Sequence, residues 1–166
     1  MHSVLFVCTA NVIRSPMAMA IFRARLGPES ARWRIESAGT WAVEGEPAAN
    51  RARYVMQARG LNLNDHSSRV VTRMLLRQFN LILTMEHGQK EALRAEFPEV
   101  GRRVYLLGEM AGIEIDVRDP IGGMTIDFEE TALELERLIE IGFERISLLA
   151  QDQPGSLTFA ARYPVP

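Results

Sequence analysis

The sequence is short of cysteine, histidine and long apolar runs, and each shortage excludes a class of protein. Cys8 is the one cysteine among 166 residues, so no internal disulfide can form and a reducing compartment is expected. The three histidines, His2, His66 and His87, lie far apart without metal-ligand spacing. No apolar run approaches the roughly 18 residues of a membrane span, and the run after Met1–Ser3 has only the length of a strand. We therefore expect a cytoplasmic protein without a secretory leader, membrane segment, metal site or cofactor.

Charge and length point to one globular domain that does not bind polyanions. The formal net charge is −2, so no overall basic field would recruit nucleic acid or an anionic membrane. Apolar residues make up 47% and charged residues 24% of the chain, as in ordinary globular proteins. We expect a single domain over residues 1–152. The proline, glycine and serine content of residues 153–166 predicts a tail with little structure of its own.

The most informative stretch runs from a short apolar segment through Cys8 to Arg14. Val4–Val7 is rich in β-branched and aromatic residues, which predicts a buried strand. Apolar residues then recur with helical spacing from Met17 to Ala24. Cys8 is therefore expected to leave a strand, and Arg14 to lie where a helix begins.

Local residue types set the expected ends of this helix, which we predict over residues 16–26. Ser15 is expected to cap it, because a serine side chain can accept an N–H of the first turn. Pro16 suits the first helical position and Gly27 suits the residue after the helix.

A loop of this kind can hold a phosphoryl group beside a nucleophilic sulfur. Backbone N–H groups, the positive end of the helix and Arg14 all favour the thiolate form of Cys8. The same groups can bind phosphate oxygens, two of them on the fork of the guanidinium. The alternative is that Cys8 is a small apolar residue packed in the core. The expected phosphate-binding residues are Thr9, Ala10, Asn11, Val12, Ile13, Arg14 and Ser15.

Strand and helix patterns alternate along the rest of the chain. Further strands are predicted at 33–37, 81–85 and 104–107, and further helices at about 48–59, 72–79, 87–97 and 128–149. This order predicts an α/β fold, a four-stranded parallel sheet with helices on both faces. Ligands of such sheets bind beyond the carboxyl ends of the strands, where Cys8, Ser37 and Thr84 are expected.

Asp119 is the second chemical candidate, in a glycine-containing loop before the last helix. A carboxyl group above the site can give a proton to the departing oxygen and then activate water against a phosphocysteine. The alternative is that Asp119-Pro120 only starts a turn, as this dipeptide commonly does.

The pattern Val7-Cys8-x-x-Asn11-x-x-Arg14-Ser15-Pro16 strongly resembles the signature of the low-molecular-weight protein tyrosine phosphatases. The resemblance covers nearly the whole chain and implies that family's Rossmann-like fold. It also implies that Cys8 is the nucleophile, that Arg14 clamps the phosphoryl group and that Asp119 is acid, then base. The implied reaction is hydrolysis of phosphotyrosine and small aryl phosphates through a phosphocysteine. The implied partner is a phosphotyrosine protein, with a bacterial tyrosine kinase as one candidate.

The resemblance also assigns supporting residues. Asn11, Ser15, Ser37 and His66 are implied to form a hydrogen-bonded network that braces the loop. His66 could instead be an ordinary histidine in a turn, and Ser37 an ordinary hydroxyl at the end of a strand.

The walls of the substrate pocket are less clear from the sequence. Trp41 and Ile121 are the candidate apolar walls, although a lone tryptophan lies more often in the core. Ile121 stands where many eukaryotic members have an aromatic residue after Asp-Pro.

Two positions in the loop bear on chemistry and substrate. Ile13 replaces the second cysteine of many relatives, so Cys8 has no neighbour for a protective disulfide. Relatives that hydrolyse phosphoarginine carry threonine at the position of Val12, so valine favours phosphotyrosine. Arginine phosphatase activity is the alternative within the family. A module that only binds phosphate is the alternative from another class, although such a module needs neither Cys8 nor Asp119.

Three apolar residues of the last predicted helix lie off its core-facing stripe. They are either a dimer patch or scattered surface positions, so we expect a monomer or a weak dimer. These residues are Leu133, Ile141 and Leu148.

Overall fold

A computed structural model describes residues 1–151 and contains the expected four-stranded parallel sheet. The predicted tail, and with it the end of the predicted domain, lies outside the described residues. The strand order is β2-β1-β3-β4, so β1 is central and pairs with β2 on one side and β3 on the other. The strands are β1 (His2–Cys8), β2 (Trp33–Gly39), β3 (Leu81–Thr84) and β4 (Val104–Leu106).

The α-helices follow the strands as the sequence pattern predicted, with one addition, and two 3₁₀ helices, Gly27–Arg32 and Pro98–Arg103, precede β2 and β4 respectively. A short helix, α5, begins directly after β4 and was not predicted, because four residues are too few to show a helical period. The helices are α1 (Arg14–Leu26), α2 (Asn50–Gln57), α3 (Arg73–Arg77), α4 (His87–Glu96), α5 (Leu107–Met110) and α6 (Thr125–Ala150). Within residues 1–151, none of them is both long and apolar enough to cross a membrane.

The side chains of β1 alternate between two buried cores. Val4, Phe6 and Cys8 belong to the core on one face, which also contains residues of α1, α2 and α6. Leu5 and Val7 belong to the core on the other face, with residues of α3 and α4. Burial on both faces is what the central strand of a parallel sheet requires when helices cover both sides. Cys8 therefore ends a strand that is fixed on both faces.

The start of α1 differs from the prediction. The helix begins at Arg14, and Ser15 lies inside its first turn instead of capping it. The hydroxyl of Ser15 contacts Cys8 and Asn11, so it is engaged by the loop and not by an N–H of the helix. The predicted end is confirmed, because Gly27 follows the last helical residue with φ of 56°.

The three apolar residues off the core stripe of α6 are all exposed. Leu133, Ile141 and Leu148 therefore lie on the surface of the chain, and the oligomeric state stays a prediction.

Gly142 lets α6 pack closely against α5. A Cβ atom at Gly142 would lie 2.7 Å from the Cβ of Met110 and 3.0 Å from its carbonyl carbon. We expect Gly142→Ala to lower the free energy of unfolding by about 1–3 kcal/mol, because overpacking outweighs the gain in helix propensity. The measurement is urea unfolding of both proteins. Gly88→Ala in α4, where a Cβ meets nothing within 4 Å, is the matched control and should not destabilise. Equal effects of the two substitutions would contradict the packing argument.

Candidate active site

The sulfur of Cys8 lies buried at the carboxyl end of β1, facing the loop that leads into α1. The backbone N–H of Asn11 donates to it over 3.3 Å, and the hydroxyl oxygen of Ser15 lies 3.0 Å away. The first N–H groups of α1 have no partner inside the helix and follow the loop directly. The sulfur thus accepts a hydrogen bond from the Asn11 N–H and lies within hydrogen-bond distance of the Ser15 hydroxyl, at a helix end that favours anions.

Besides its bond to the sulfur, Asn11 makes four hydrogen bonds that hold the loop in shape. Its φ of 58° lies in the left-handed region, which asparagine adopts more readily than most residues. The buried amide donates to the hydroxyls of Ser15 and Ser37, each over 2.9 Å. Its side-chain oxygen accepts the N–H of Arg69 over 3.0 Å, and its carbonyl oxygen lies 2.6 Å from Nε2 of His66. The hydrogen-bonded network expected from the resemblance is thus present around Asn11.

His66 donates a hydrogen bond from its ring to the loop. Burial lowers the pKa of His66 and the Arg69 cation lowers it further, while the bond to the Asn11 carbonyl opposes the shift. A carbonyl oxygen can only accept, so Nε2 carries the hydrogen. His66 thus contacts the loop, and its role in bracing the loop stays a prediction.

Arg69 is a supporting residue that the sequence analysis missed. Its guanidinium donates to the carbonyl of Ser37 over 3.0 Å and forms an ion pair with Glu36. It therefore ties the network to β2. In the sequence, the only sign of a role for Arg69 is that it lies in the polar segment 66–69 together with His66.

The guanidinium of Arg14 is 2% exposed and brings distant parts of the chain together. It forms an ion pair with Glu86, donates to the carbonyl of Val117 over 2.8 Å and lies 3.2 Å from a carboxylate oxygen of Asp119. A buried cation requires such partners. Asp119, predicted from an Asp-Pro pair far along the chain, is in this way brought to the loop of Cys8.

Glu86 and Gln89 were also missed by the sequence analysis. Glu86 follows the end of β3, where site residues of parallel sheets are expected, but its partner could not be predicted. The side-chain oxygen of Gln89 accepts the N–H groups of Met85 and Glu86, each over 3.0 Å. Its amide nitrogen donates to the hydroxyl of Thr9 over 3.0 Å. The end of β3 is thereby fixed to the loop after β1.

A small opening gives access to these groups. Asp119 also accepts the N–H of Ile121 over 3.1 Å, so its carboxyl forms a turn as well as facing the opening. Asp119 therefore starts a turn, as one alternative predicted, and also lies at the opening, as the other alternative predicted. The opening is lined by Cys8, Ala10, Val12, Ile13, Arg14, Asp119 and Ile121.

The two predicted wall residues differ in position. Ile121 lines the opening and is 67% exposed. Trp41 is 84% exposed, so it is not a core residue. Its backbone N–H donates to the carbonyl of Thr9 over 2.9 Å. Its side chain is not among those that line the opening, so its role as a wall stays a prediction.

A larger cavity of about 320 Å³ lies between the Asp119 loop and α6. Its lining includes the carboxylates of Asp127, Glu130 and Glu134 but neither Cys8 nor Arg14. Burial raises the pKa of Glu134 there, against the effect of Arg137. Because Cys8 and Arg14 are not in its lining, the chemistry of Cys8 does not occur in this cavity.

Among residues 1–151, no cluster of three or more histidine, cysteine, aspartate or glutamate side chains could hold a metal ion.

His66 predicts a pH dependence of stability. The folded protein binds a proton at His66 less readily than the unfolded chain, whose histidine pKa is 6.5. The unfolded state therefore gains protons first, and the free energy of unfolding falls as the pH drops below 6.5. His66→Gln retains an N–H donor and removes this titration. Urea unfolding at pH about 7.5 and about 5.5 should show a smaller fall for the variant than for wild type. Parallel falls in the two proteins would contradict the assignment.

Comparison with known proteins agrees with the geometry. Residues 3–149 match the family model described as low molecular weight phosphotyrosine protein phosphatase. The probable low molecular weight protein-tyrosine-phosphatase EpsP of Ralstonia solanacearum is 34% identical over 147 residues, which cover 89% of this chain and 97% of the relative. The protein-arginine-phosphatase of Bacillus subtilis is 34% identical over 137 residues, covering 82% of this chain and 91% of the relative.

Solved structures show the same fold. The low molecular weight protein tyrosine phosphatase from T. tengcongensis superposes with a TM-score of 0.83 at 36% identity, covering 87% of this chain and 99% of that one. The tyrosine phosphatase Wzb from Escherichia coli K30, in complex with sulphate, gives a TM-score of 0.79 at 30% identity, covering 88% and 99%. The chain therefore belongs to the low molecular weight phosphotyrosine protein phosphatase family.

Proposed function

We propose that this protein hydrolyses phosphotyrosine in proteins, and small aryl phosphates, through a phosphocysteine intermediate. The observation that carries the proposal is the meeting of three groups at one small opening. They are the sulfur of Cys8, the guanidinium of Arg14 and the carboxyl of Asp119. A nucleophile, a clamp for phosphoryl oxygens and a proton donor are what transfer of a phosphoryl group to sulfur requires.

In the first step the Cys8 thiolate attacks phosphorus, the P–S bond forms and the bond to the leaving oxygen breaks. Asp119 gives its proton to that oxygen, so the product leaves as a neutral phenol. The backbone of residues 9–15 and the fork of Arg14 hold the equatorial oxygens. The charge of Arg14 is already oriented by Glu86 and Val117, so little reorganisation is needed when the substrate arrives.

In the second step water attacks the phosphocysteine. The Asp119 carboxylate accepts a proton from that water, the P–S bond breaks and inorganic phosphate leaves. Ser15 lies 3.0 Å from the sulfur and can donate a hydrogen bond to the departing thiolate. The Cys8 thiolate is therefore regenerated with the same neighbouring groups, the Ser15 hydroxyl and the Asn11 N–H, that it had before attack.

The lining of the opening favours an aromatic leaving group. Beside the reactive groups it consists of Ala10, Val12, Ile13 and Ile121, none of which has a polar side chain. An apolar lining suits a phenyl ring better than a guanidinium, which would leave donors without partners. Relatives named protein-arginine-phosphatase support phosphoarginine as the second candidate substrate.

The proposed partner is a phosphotyrosine-bearing protein, and a bacterial tyrosine kinase is a candidate. The proposed location is the cytoplasm. A reducing compartment suits this site because the thiolate is the nucleophile and the chain has no second cysteine to protect Cys8 from over-oxidation.

The roles of the reactive residues can be tested with phenyl phosphate, p-nitrophenyl phosphate and a phosphotyrosine peptide. Cys8→Ser should abolish turnover of all three, since a neutral hydroxyl replaces the thiolate. Asp119→Ala should lower kcat/KM for phenyl phosphate and the peptide by about 10²- to 10⁴-fold. The loss for p-nitrophenyl phosphate should be smaller, because its better leaving group depends less on a proton.

Exposed Glu114, in the segment leading to Asp119, provides the control. Glu114→Ala should behave like wild type. Turnover by Cys8→Ser, or equal losses on both aryl phosphates for Asp119→Ala, would contradict the proposed roles. If wild type bound vanadate but cleaved none of the three substrates, the site would only bind phosphate.

Val12 allows the two candidate substrates to be separated. Val12→Thr keeps the size of the side chain and adds a hydroxyl at the opening. We expect it to raise kcat/KM for a phosphoarginine peptide relative to a phosphotyrosine peptide by roughly tenfold. Val12→Ile is the control that keeps the position apolar and should not shift this ratio toward phosphoarginine. A wild type that prefers phosphoarginine would replace the tyrosine proposal with the arginine alternative.

A further inference from the structure

Asp116, three residues before Asp119, is joined to the first residue of α4. One carboxylate oxygen of Asp116 accepts both the backbone N–H of His87, over 2.8 Å, and the ring Nδ1–H of His87, over 2.7 Å. Partial burial acts to raise the pKa of Asp116, but the His87 bonds and the charges of His87 and Arg14 lower it overall. Asp116 thus supplies a carboxylate acceptor at the N-terminus of α4, where anions are favoured.

The next residue forms a second junction with the same part of the chain. The N–H of Val117 donates to the carbonyl of Met85 over 2.8 Å, and the Val117 side chain is fully buried. Two consecutive residues, Asp116 and Val117, are therefore fixed to the segment that connects β3 to α4. That segment also carries Glu86, the ion-pair partner of Arg14.

Beyond Val117, the acid has few supports of its own. Within residues 1–151, the hydrogen bonds of the Asp119 carboxylate go only to Arg14 and to the N–H of Ile121, in its own turn. In the proposed mechanism a bound phosphoryl group would compete for the Arg14 guanidinium and so weaken the contact between Arg14 and Asp119. The position of the acid during reaction then depends on the junctions at Asp116 and Val117.

We propose that Asp116 and His87 are positioning residues that hold the loop of the general acid over the sulfur of Cys8. The proposal rests on the proposed function and adds a requirement to it. A small misplacement of a reacting group can lower a rate by orders of magnitude. The alternative is a partly exposed ion pair that contributes little to stability and nothing to catalysis.

The test compares Asp116→Ala with Asp116→Asn, whose amide oxygen can still accept both N–H groups of His87. Asp116→Ala should lower kcat/KM for phenyl phosphate by roughly tenfold, with a smaller loss for p-nitrophenyl phosphate. Inhibition by vanadate should be unchanged, because the phosphate loop is intact. Asp116→Asn should restore most of the activity on phenyl phosphate. Glu114→Ala, which removes a carboxylate two positions earlier, is the matched control.

The double variant Asp116→Ala/Asp119→Ala separates positioning from a general structural effect. If Asp116 acts through Asp119, adding Asp116→Ala to the Asp119→Ala variant should cause no further loss of activity on phenyl phosphate. Equal losses by Asp116→Ala on both aryl phosphates, failure of Asp116→Asn to restore activity, or additive losses in the double variant would overturn the positioning proposal. If Asp119→Ala alone shows no dependence on the leaving group, the acid role in the proposed function fails instead.

Discussion

The left-handed backbone of Asn11 is the constraint on which the site depends. Among the non-glycine residues 1–151, Asn11 alone has a positive φ, and its side chain and carbonyl bond four residues around it. A strained conformation persists only where its surroundings determine it. Here the surroundings are the carboxyl end of β2 and the His66–Arg69 segment. The turn that aims the Asn11 N–H at the sulfur of Cys8 is therefore supported from outside the loop.

The parallel sheet explains how residues so distant in sequence meet. Carboxyl ends of parallel strands lie on one edge, which puts Cys8 after β1, Ser37 near the end of β2 and Glu86 after β3. The packing there is tight, because a Cβ at Gly39 would lie 2.4 Å from the carbonyl oxygen of Thr9. Arg14 then connects this edge to the loop of Asp119. The buried guanidinium of Arg14 thus contacts the loop of the proposed acid, in addition to the bonds of Asp116 to His87 and of Val117 to Met85.

The sequence predicted what depends on local pattern. The four strands follow from short apolar runs, and the site follows from Cys8, Arg14 and the helix that begins beside them. It did not predict the partners of Arg14, because the pairing of Glu86 and Val117 with it depends on the order of strands in the sheet. Ser15 was misplaced for a related reason, since a competing partner outside the helix engages its hydroxyl. Residues that act across elements leave no periodic signal in the chain.

In the proposed mechanism the phosphoryl group passes through the sulfur of Cys8. The decisive measurement is acid quench of the enzyme during turnover of p-nitrophenyl phosphate, followed by mass spectrometry of the peptide that contains Cys8. The account predicts one added phosphoryl group on Cys8, in larger amount with Asp119→Ala, because the base that activates water is then missing. Turnover without phosphorus on Cys8 would contradict the account, since water would then attack the substrate directly.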